Sequence, residues 1–122
     1  MNKQLTFLLA LTLLFLFTGS VYGDDFQDAW DAEQRKDYKE AVRLYRLSAE
    51  QGDVDAQLKL GVSYGMGRGV PKDYALAHMW WNLSGSNGNK EAAENRDIVE
   101  TKMTPQQIEK AEEMARNWKP KK

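Results

Sequence analysis

The chain has 122 residues, a formal net charge of −1, one histidine and no cysteine. That length suits a single ordinary domain. The missing cysteine excludes disulfides, thiolate metal sites and cysteine nucleophiles, and the near-zero charge offers no global field for nucleic acid.

In chain order, the first element is "MNKQLTFLLALTLLFLFTGSVYG". Lys3 precedes an apolar run of 13 residues from Leu5 to Phe17, which Thr18, Gly19 and Ser20 interrupt. Val21 and Gly23 take the small-residue positions of a cleavage site. This layout predicts a secretory signal peptide over residues 1–23, cut after Gly23; a spanning helix needs about 20 apolar residues. The expected mature chain has 99 residues and a net charge of −2, because Lys3 leaves and no acid does. No lipid-anchor cysteine follows, so the reading is a periplasmic or secreted protein without stable membrane insertion. A domain of that size buries about 60–70% of its unfolded surface, which makes one modest core.

The mature region repeats itself. At an offset of 36 residues, Asp37 falls on Asp73, Tyr38 on Tyr74, Ala41 on Ala77, Tyr45 on Trp81, Ser48 on Ser84 and Gly52 on Gly88. Each unit carries apolar residues at three- and four-residue steps, as in Tyr38, Ala41, Val42, Tyr45 and Ala49. The pattern predicts six helices near 25–36, 38–51, 53–65, 72–86, 89–102 and 105–118, paired in sequence. Gly52 and Gly88 stand where a helix ends in a left-handed residue, and Asp53 stands where the next helix is capped. Thr104, Pro105 and Gln107 spell a capping box, with Met103 and Ile108 spaced as a hydrophobic staple. Ile108, Ala111, Met114 or Ala115, and Trp118 mark the inner side of the last helix. No stretch alternates β-branched residues, so no sheet is expected. The fold class is all-α, a solenoid of about three stacked helical hairpins over residues 24–118. The basic end at 119–122, "KPKK", reads as a solvated, frayed tail.

Between the third and fourth helices lies "YGMGRGVPKDY", Tyr64 to Tyr74. A phosphate loop of the G-x-x-x-x-G-K-[ST] type would follow a strand and place a hydroxyl after the lysine. Here a helix precedes the glycines, and Lys72 is followed by Asp73. The dinucleotide spacing fails as well, with Val70 at its sixth position. The stretch instead reads as a helix-ending turn with positive φ at more than one glycine. Val70 is expected to plug the gap between helices and Pro71 to open the next one. Gly61, inside a predicted helix, costs about 1 kcal/mol against alanine. A large ring that needs the space explains it, with Trp80 the expected ring. Tyr64, Tyr74, Trp80 and Trp81 are read as core.

The chain is poor in catalytic sets. A single histidine permits no His–His metal spacing, and no G-x-S-x-G is present. His78 lies mid-helix and reads as a packed or half-exposed residue. Glu112 and Arg116 are spaced as an i,i+4 pair, and Asp24, Asp25 and Asp28 crowd a helix start, where they complement its dipole. No catalytic, cofactor-binding or metal-binding residue is assigned, and the expectation is a protein without enzymatic activity.

The segment from Ala56 to Gly88 resembles a Sel1-like repeat. The matching positions are Ala56, Leu60, Gly61, Tyr64, Gly67, Gly69, Val70, Asp73, Ala77, Trp80 and Gly88. Residues 89–118 resemble the closing segment of bacterial members. The first unit lacks the Leu-Gly pair and the long loop, and in the last unit Arg96 and Asp97 replace that pair, as terminal caps do. The resemblance implies tetratricopeptide-like helical hairpins and an adaptor role in protein complexes. Some relatives are linked to β-lactam binding, but the third residue after Ser48, Ser63, Ser84 and Ser86 is Gln51, Met66, Asn87 and Asn89, so the S-x-x-K of acyl enzymes is missing. In related solenoids the first helix of each pair lines the concave face, which points to Trp30, Gln34, Gln57, Tyr64, Arg96 and Glu100 as protein-binding residues. The expected function is therefore an exported scaffold for another protein. The alternatives are a cell-wall enzyme or glycan-binding factor, or a secreted effector acting on a host.

Overall fold

The computed structural model describes residues 21–121. Those residues form six α-helices: α1 (Val21–Gln34), α2 (Tyr38–Glu50), α3 (Val54–Met66), α4 (Tyr74–Ser86), α5 (Lys90–Glu100) and α6 (Pro105–Asn117). No strand occurs among the described residues, in agreement with the all-α expectation. Most of the expected signal segment lies outside them. Helix α1 begins at Val21, two residues before Gly23, the expected last residue of the leader.

Short polar residues start the helices. The side chains of Asp37, Asp53, Asp73, Asn89 and Thr104 each accept a bond from the backbone N–H three residues on, which satisfies a donor the helix leaves open. Thr104 and Gln107 form the full capping box, with Pro105 at the first helical position.

The tight connections share one device. At the end of α2, the Asp53 N–H reaches Ser48 O at 3.2 Å and the Gly52 N–H reaches Ala49 O at 3.0 Å, with Gly52 at φ +101°. The end of α4 repeats this with Asn89, Ser84, Gly88 and Gly85. These are Schellman motifs, and the last donor of each is also the N-cap of the next helix. The end of α1 follows the same pattern, but Lys36 takes the left-handed position at φ 62°.

The α3–α4 connection is longer. Gly67 ends α3 at φ 67°, and Gly69 follows at φ 75°, so the loop has the two positive-φ glycines its sequence suggests. Gly69 lies against the backbone of Tyr38 and Lys39 at the start of α2, where a side chain would collide with the Tyr38 carbonyl. The Arg68 guanidinium sits 5.5 Å from the centre of the Tyr38 ring. The loop thus joins one repeat to the preceding one. Val70 packs on the core as expected, but Pro71 does not open a helix. Residues 71–73 are irregular, and α4 starts at Tyr74, capped by Asp73.

Two clusters make the core. The larger joins α1, α2, α3 and α4 through Ala32, Val42, Tyr45, Leu60 and Trp80. The smaller joins α3, α4 and α5 through Leu58, Ala77, Trp81, Ala92 and Val99. The adjacent tryptophans of α4 therefore serve different clusters. Trp80 meets Trp118 edge-on, with ring centres 6.1 Å apart. Trp81 lies across α3 at Gly61, where a built Cβ would sit 2.5 Å from its Cδ1 and Nε1. The ring seated by Gly61 is thus Trp81, not the expected Trp80. Its Nε1–H donates to Leu58 O at 3.1 Å, which fixes its orientation.

Helix α4 is central, packed against α3, α5 and α6. The last two helices do not form a close hairpin, because α6 lies chiefly along α4. The terminal basic segment is not frayed: the Lys121 N–H donates to Glu50 O at 2.8 Å, and its ammonium lies 3.1 Å from the Glu50 carboxylate. Glu50 ends α2, so the tail supplies a donor to a carbonyl that the helix leaves open.

Candidate functional site

Two concavities flank α5. The first is a groove of about 180 Å³ whose walls come from α3 and α5. Trp81 and Tyr74 of α4 line it, with Met66 on one side and Ile98 on the other. Met66 is 57% exposed and Ile98 is 60% exposed. Apolar surface gathered at a groove, unlike singly scattered apolar residues, is a feature of contact surfaces. Lys102 lines the same groove, and the Lys72 ammonium sits 4.8 Å from the Tyr74 ring centre. The nearby Lys72 ammonium, aided by the positive charge of Lys102, holds the Tyr74 phenol below its ordinary pKa. The groove is therefore apolar between its walls and cationic at its rim.

The second concavity is a polar cleft of about 290 Å³ between α4, α5 and α6. Each helix contributes two residues one turn apart: His78 and Asn82, Arg96 and Glu100, Glu112 and Arg116. Asp97 also lines it. The imidazole of His78 is fully buried, and its Nε2 lies 2.8 Å from Glu100 Oε1. Arg96 donates to Asn82 Oδ1 at 3.1 Å and to Asp97 Oδ1 at 3.1 Å. Glu112 and Arg116 do not pair with each other among the described residues. Both line the cleft instead of forming the surface pair their spacing suggests.

The sequence-derived candidates separate on this map. Arg96 and Glu100 meet in the polar cleft. Trp30 (42% exposed) and Gln34 stand on the open surface of α1 and line neither concavity. Tyr64 is half-buried against both core clusters, and its hydroxyl accepts from Arg46 at 2.7 Å. Gln57 is not a surface residue. It is 1% exposed, and its amide donates to Ala49 O at 3.2 Å, linking α3 to α2. Sequence reading missed Met66, Ile98 and Lys102 as groove residues, and His78 and Glu112 as cleft residues. The groove walls do belong to first helices of pairs, the face indicated by analogy, so position along the repeat was the usable signal.

Tandem helix pairs joined by shared cap residues and stacked on an aromatic-anchored core define a helical-repeat solenoid. A family model described as Sel1 repeat matches residues 31–53 and 54–89, the second span covering α3, the glycine loop and α4. Residues 31–89 thus carry Sel1 repeats, and the chain is similar to Sel1-like repeat proteins. It is 44% identical over 46 residues to a Sel1-like repeat-containing protein of Schizosaccharomyces pombe, which covers 38% of this chain and 7% of the relative. A solved structure described as a protective antigen present in uropathogenic Escherichia coli strains, displaying an SLR fold, superposes with a TM-score of 0.78 at 32% identity. That match covers 83% of this chain and 23% of the other. The chain thus spans less than a quarter of the length of either protein. Repeats of this family commonly mediate protein–protein interactions.

Proposed function

We propose that this protein is an exported, non-catalytic adaptor that binds another protein in the groove between α3 and α5. The observation that carries this reading is the exposure of Met66 and Ile98 on opposite sides of a groove lined by Trp81. Each would lose most of its water contact beneath a partner, which gives about 1.5–3 kcal/mol per fully buried side chain. Lys72 and Lys102 favour a partner segment that sets acidic residues beside an apolar anchor. Export is supported by Lys3, the apolar run from Leu5 to Phe17 and the small residues up to Gly23. Among the described residues, no helix is long and apolar enough to cross a membrane.

The experiment pairs a charge substitution with recovery of the partner. Ile98→Asp puts a carboxylate into the groove at an exposed position and should leave the fold intact while abolishing co-purification. Glu113→Gln, on the exposed side of α6, should change nothing. Equal recovery with both variants overturns the groove assignment. N-terminal sequencing of the exported protein should begin at Asp24, and retention of an intact leader in the cytoplasm would contradict export.

A further inference from the structure

The polar cleft brings together three potential metal ligands that lie far apart in the sequence. The ligand atoms of His78, Glu100 and Glu112 all lie within 4.8 Å of one another. They come from three different helices, α4, α5 and α6. We propose that His78 Nε2 and the carboxylates of Glu100 and Glu112 form a divalent transition-metal site that ties these helices together.

Four observations lead there. First, the spacing fits a shared ion. Ligands about 2.0–2.2 Å from a tetrahedral zinc stand roughly 3.3 Å apart. The Nε2–Oε1 separation of 2.8 Å needs to open by only a fraction of an ångström. Second, the imidazole is fully buried yet lines the cleft, so its position is set by packing before any ligand arrives. Its Nδ1 has no hydrogen-bond partner among the described residues. Third, the local charge favours a cation. Three carboxylates, Asp97, Glu100 and Glu112, line the cleft with two guanidiniums, Arg96 and Arg116, and Arg96 is already engaged by Asn82 and Asp97. Fourth, the cleft holds about 290 Å³, enough for an ion and the waters that complete its shell.

The donor set selects the class of ion. One imidazole and two carboxylates suit zinc and its first-row neighbours, whereas magnesium and calcium prefer oxygen alone. Without metal, the Nε2–H donates to Glu100. Coordination requires the Nε2 lone pair, so the ring proton moves to Nδ1, where no acceptor waits. A ligating histidine without that outer partner binds about 10–100-fold more weakly. The site is therefore one of modest, exchangeable affinity. Helices α5 and α6 meet mainly through α4, and the ion would add a direct link between them.

Zinc chloride titrated into the protein tests this. His78 is the single histidine, so one set of imidazole resonances reports on the site without any substitution. The expected result is saturation at one equivalent, a large shift at Nε2 and a higher melting temperature. Magnesium at the same concentration should do neither. Glu100→Gln and Glu112→Gln keep side-chain volume and should each weaken zinc binding at least about tenfold, while Glu113→Gln on the exposed side of α6 should bind like the parent. Imidazole resonances that ignore stoichiometric zinc overturn the proposal. So does zinc binding that both glutamine variants leave unchanged, and so does an equal response to magnesium.

Discussion

Replacing Gly61 with alanine sets two effects of known sign against each other. Alanine is the better helix former by about 1 kcal/mol, and Gly61 lies within α3 with no left-handed φ. Propensity alone therefore predicts stabilisation. Packing predicts the reverse, because the new Cβ would lie 2.5 Å from Trp81 Cδ1 and Nε1. Ordinary carbon contacts are about 3.5–4.0 Å, so the indole must retreat by roughly 1 Å. Overpacking of this kind costs about 1–3 kcal/mol. The displaced ring also loses its bond to Leu58 O, another ~1 kcal/mol. The net loss is about 1–3 kcal/mol, which in a domain of this size lowers the melting temperature by roughly 4–20 °C. Urea unfolding followed by tryptophan fluorescence and circular dichroism measures it. A double-mutant cycle identifies the ring: Gly61→Ala should become neutral or stabilising in a Trp81→Leu background, a coupling of about 1–3 kcal/mol, and should keep its full cost with Trp80→Leu. A Gly61→Ala variant as stable as the parent, or one coupled to Trp80, refutes the reasoning.

Three further outcomes are expected. Gly69→Ala meets both a φ of 75° and the Tyr38 carbonyl, so it should lose about 2 kcal/mol or more, with strain supplying ~1–2 of it; an unchanged melting temperature would mean the loop does not rest on α2. Lys36→Gly should stabilise by about 0.5–1 kcal/mol, because Lys36 occupies a left-handed Schellman position that glycine adopts freely; chemical denaturation would show a raised midpoint at constant slope. Burial, reinforced by a 2.7 Å bond to Glu33, pushes the Tyr45 phenol well above its ordinary pKa of 10.0. Its folded pKa is raised, so its contribution is complete below pH 10 and declines as pH climbs toward the folded value. Above pH 10 the parent should lose stability more steeply than Tyr45→Phe, by up to about 1.4 kcal/mol per pH unit, and matching slopes would contradict the assignment.

Local signals were the most legible part of this sequence. Asp53, Thr104, Gly52 and Gly88 each punctuate a helix as their chemistry requires, because a cap is decided within a few residues. The offset of 36 residues gave the tandem architecture for the same reason, since corresponding positions need equivalent neighbours. Choosing between Trp80 and Trp81 was harder. Adjacent residues lie about 100° apart on a helix, and both rings are inside a wide apolar face. The repeat does not decide between them, because it sets Trp80 on Leu44 and Trp81 on Tyr45, and both are core residues. The polar cleft was not readable, because its residues lie on three helices and meet only once α6 lies along α4. His78 was expected to be packed, and it is, but Glu100 is 22 residues away. The docked tail was hidden for a similar reason. Its partner is the open carbonyl of Glu50, and nothing in "KPKK" specifies it.

We propose above that the α3–α5 groove holds a protein partner outside the cytoplasm. Photo-crosslinking amino acids placed singly at Met66, Ile98 and, as a control, exposed Lys39 test it in the cells that make the protein. Positions 66 and 98 should trap one and the same protein in the exported fraction, and position 39 should not. No adduct at either groove position, or the same adduct from Lys39, would contradict it.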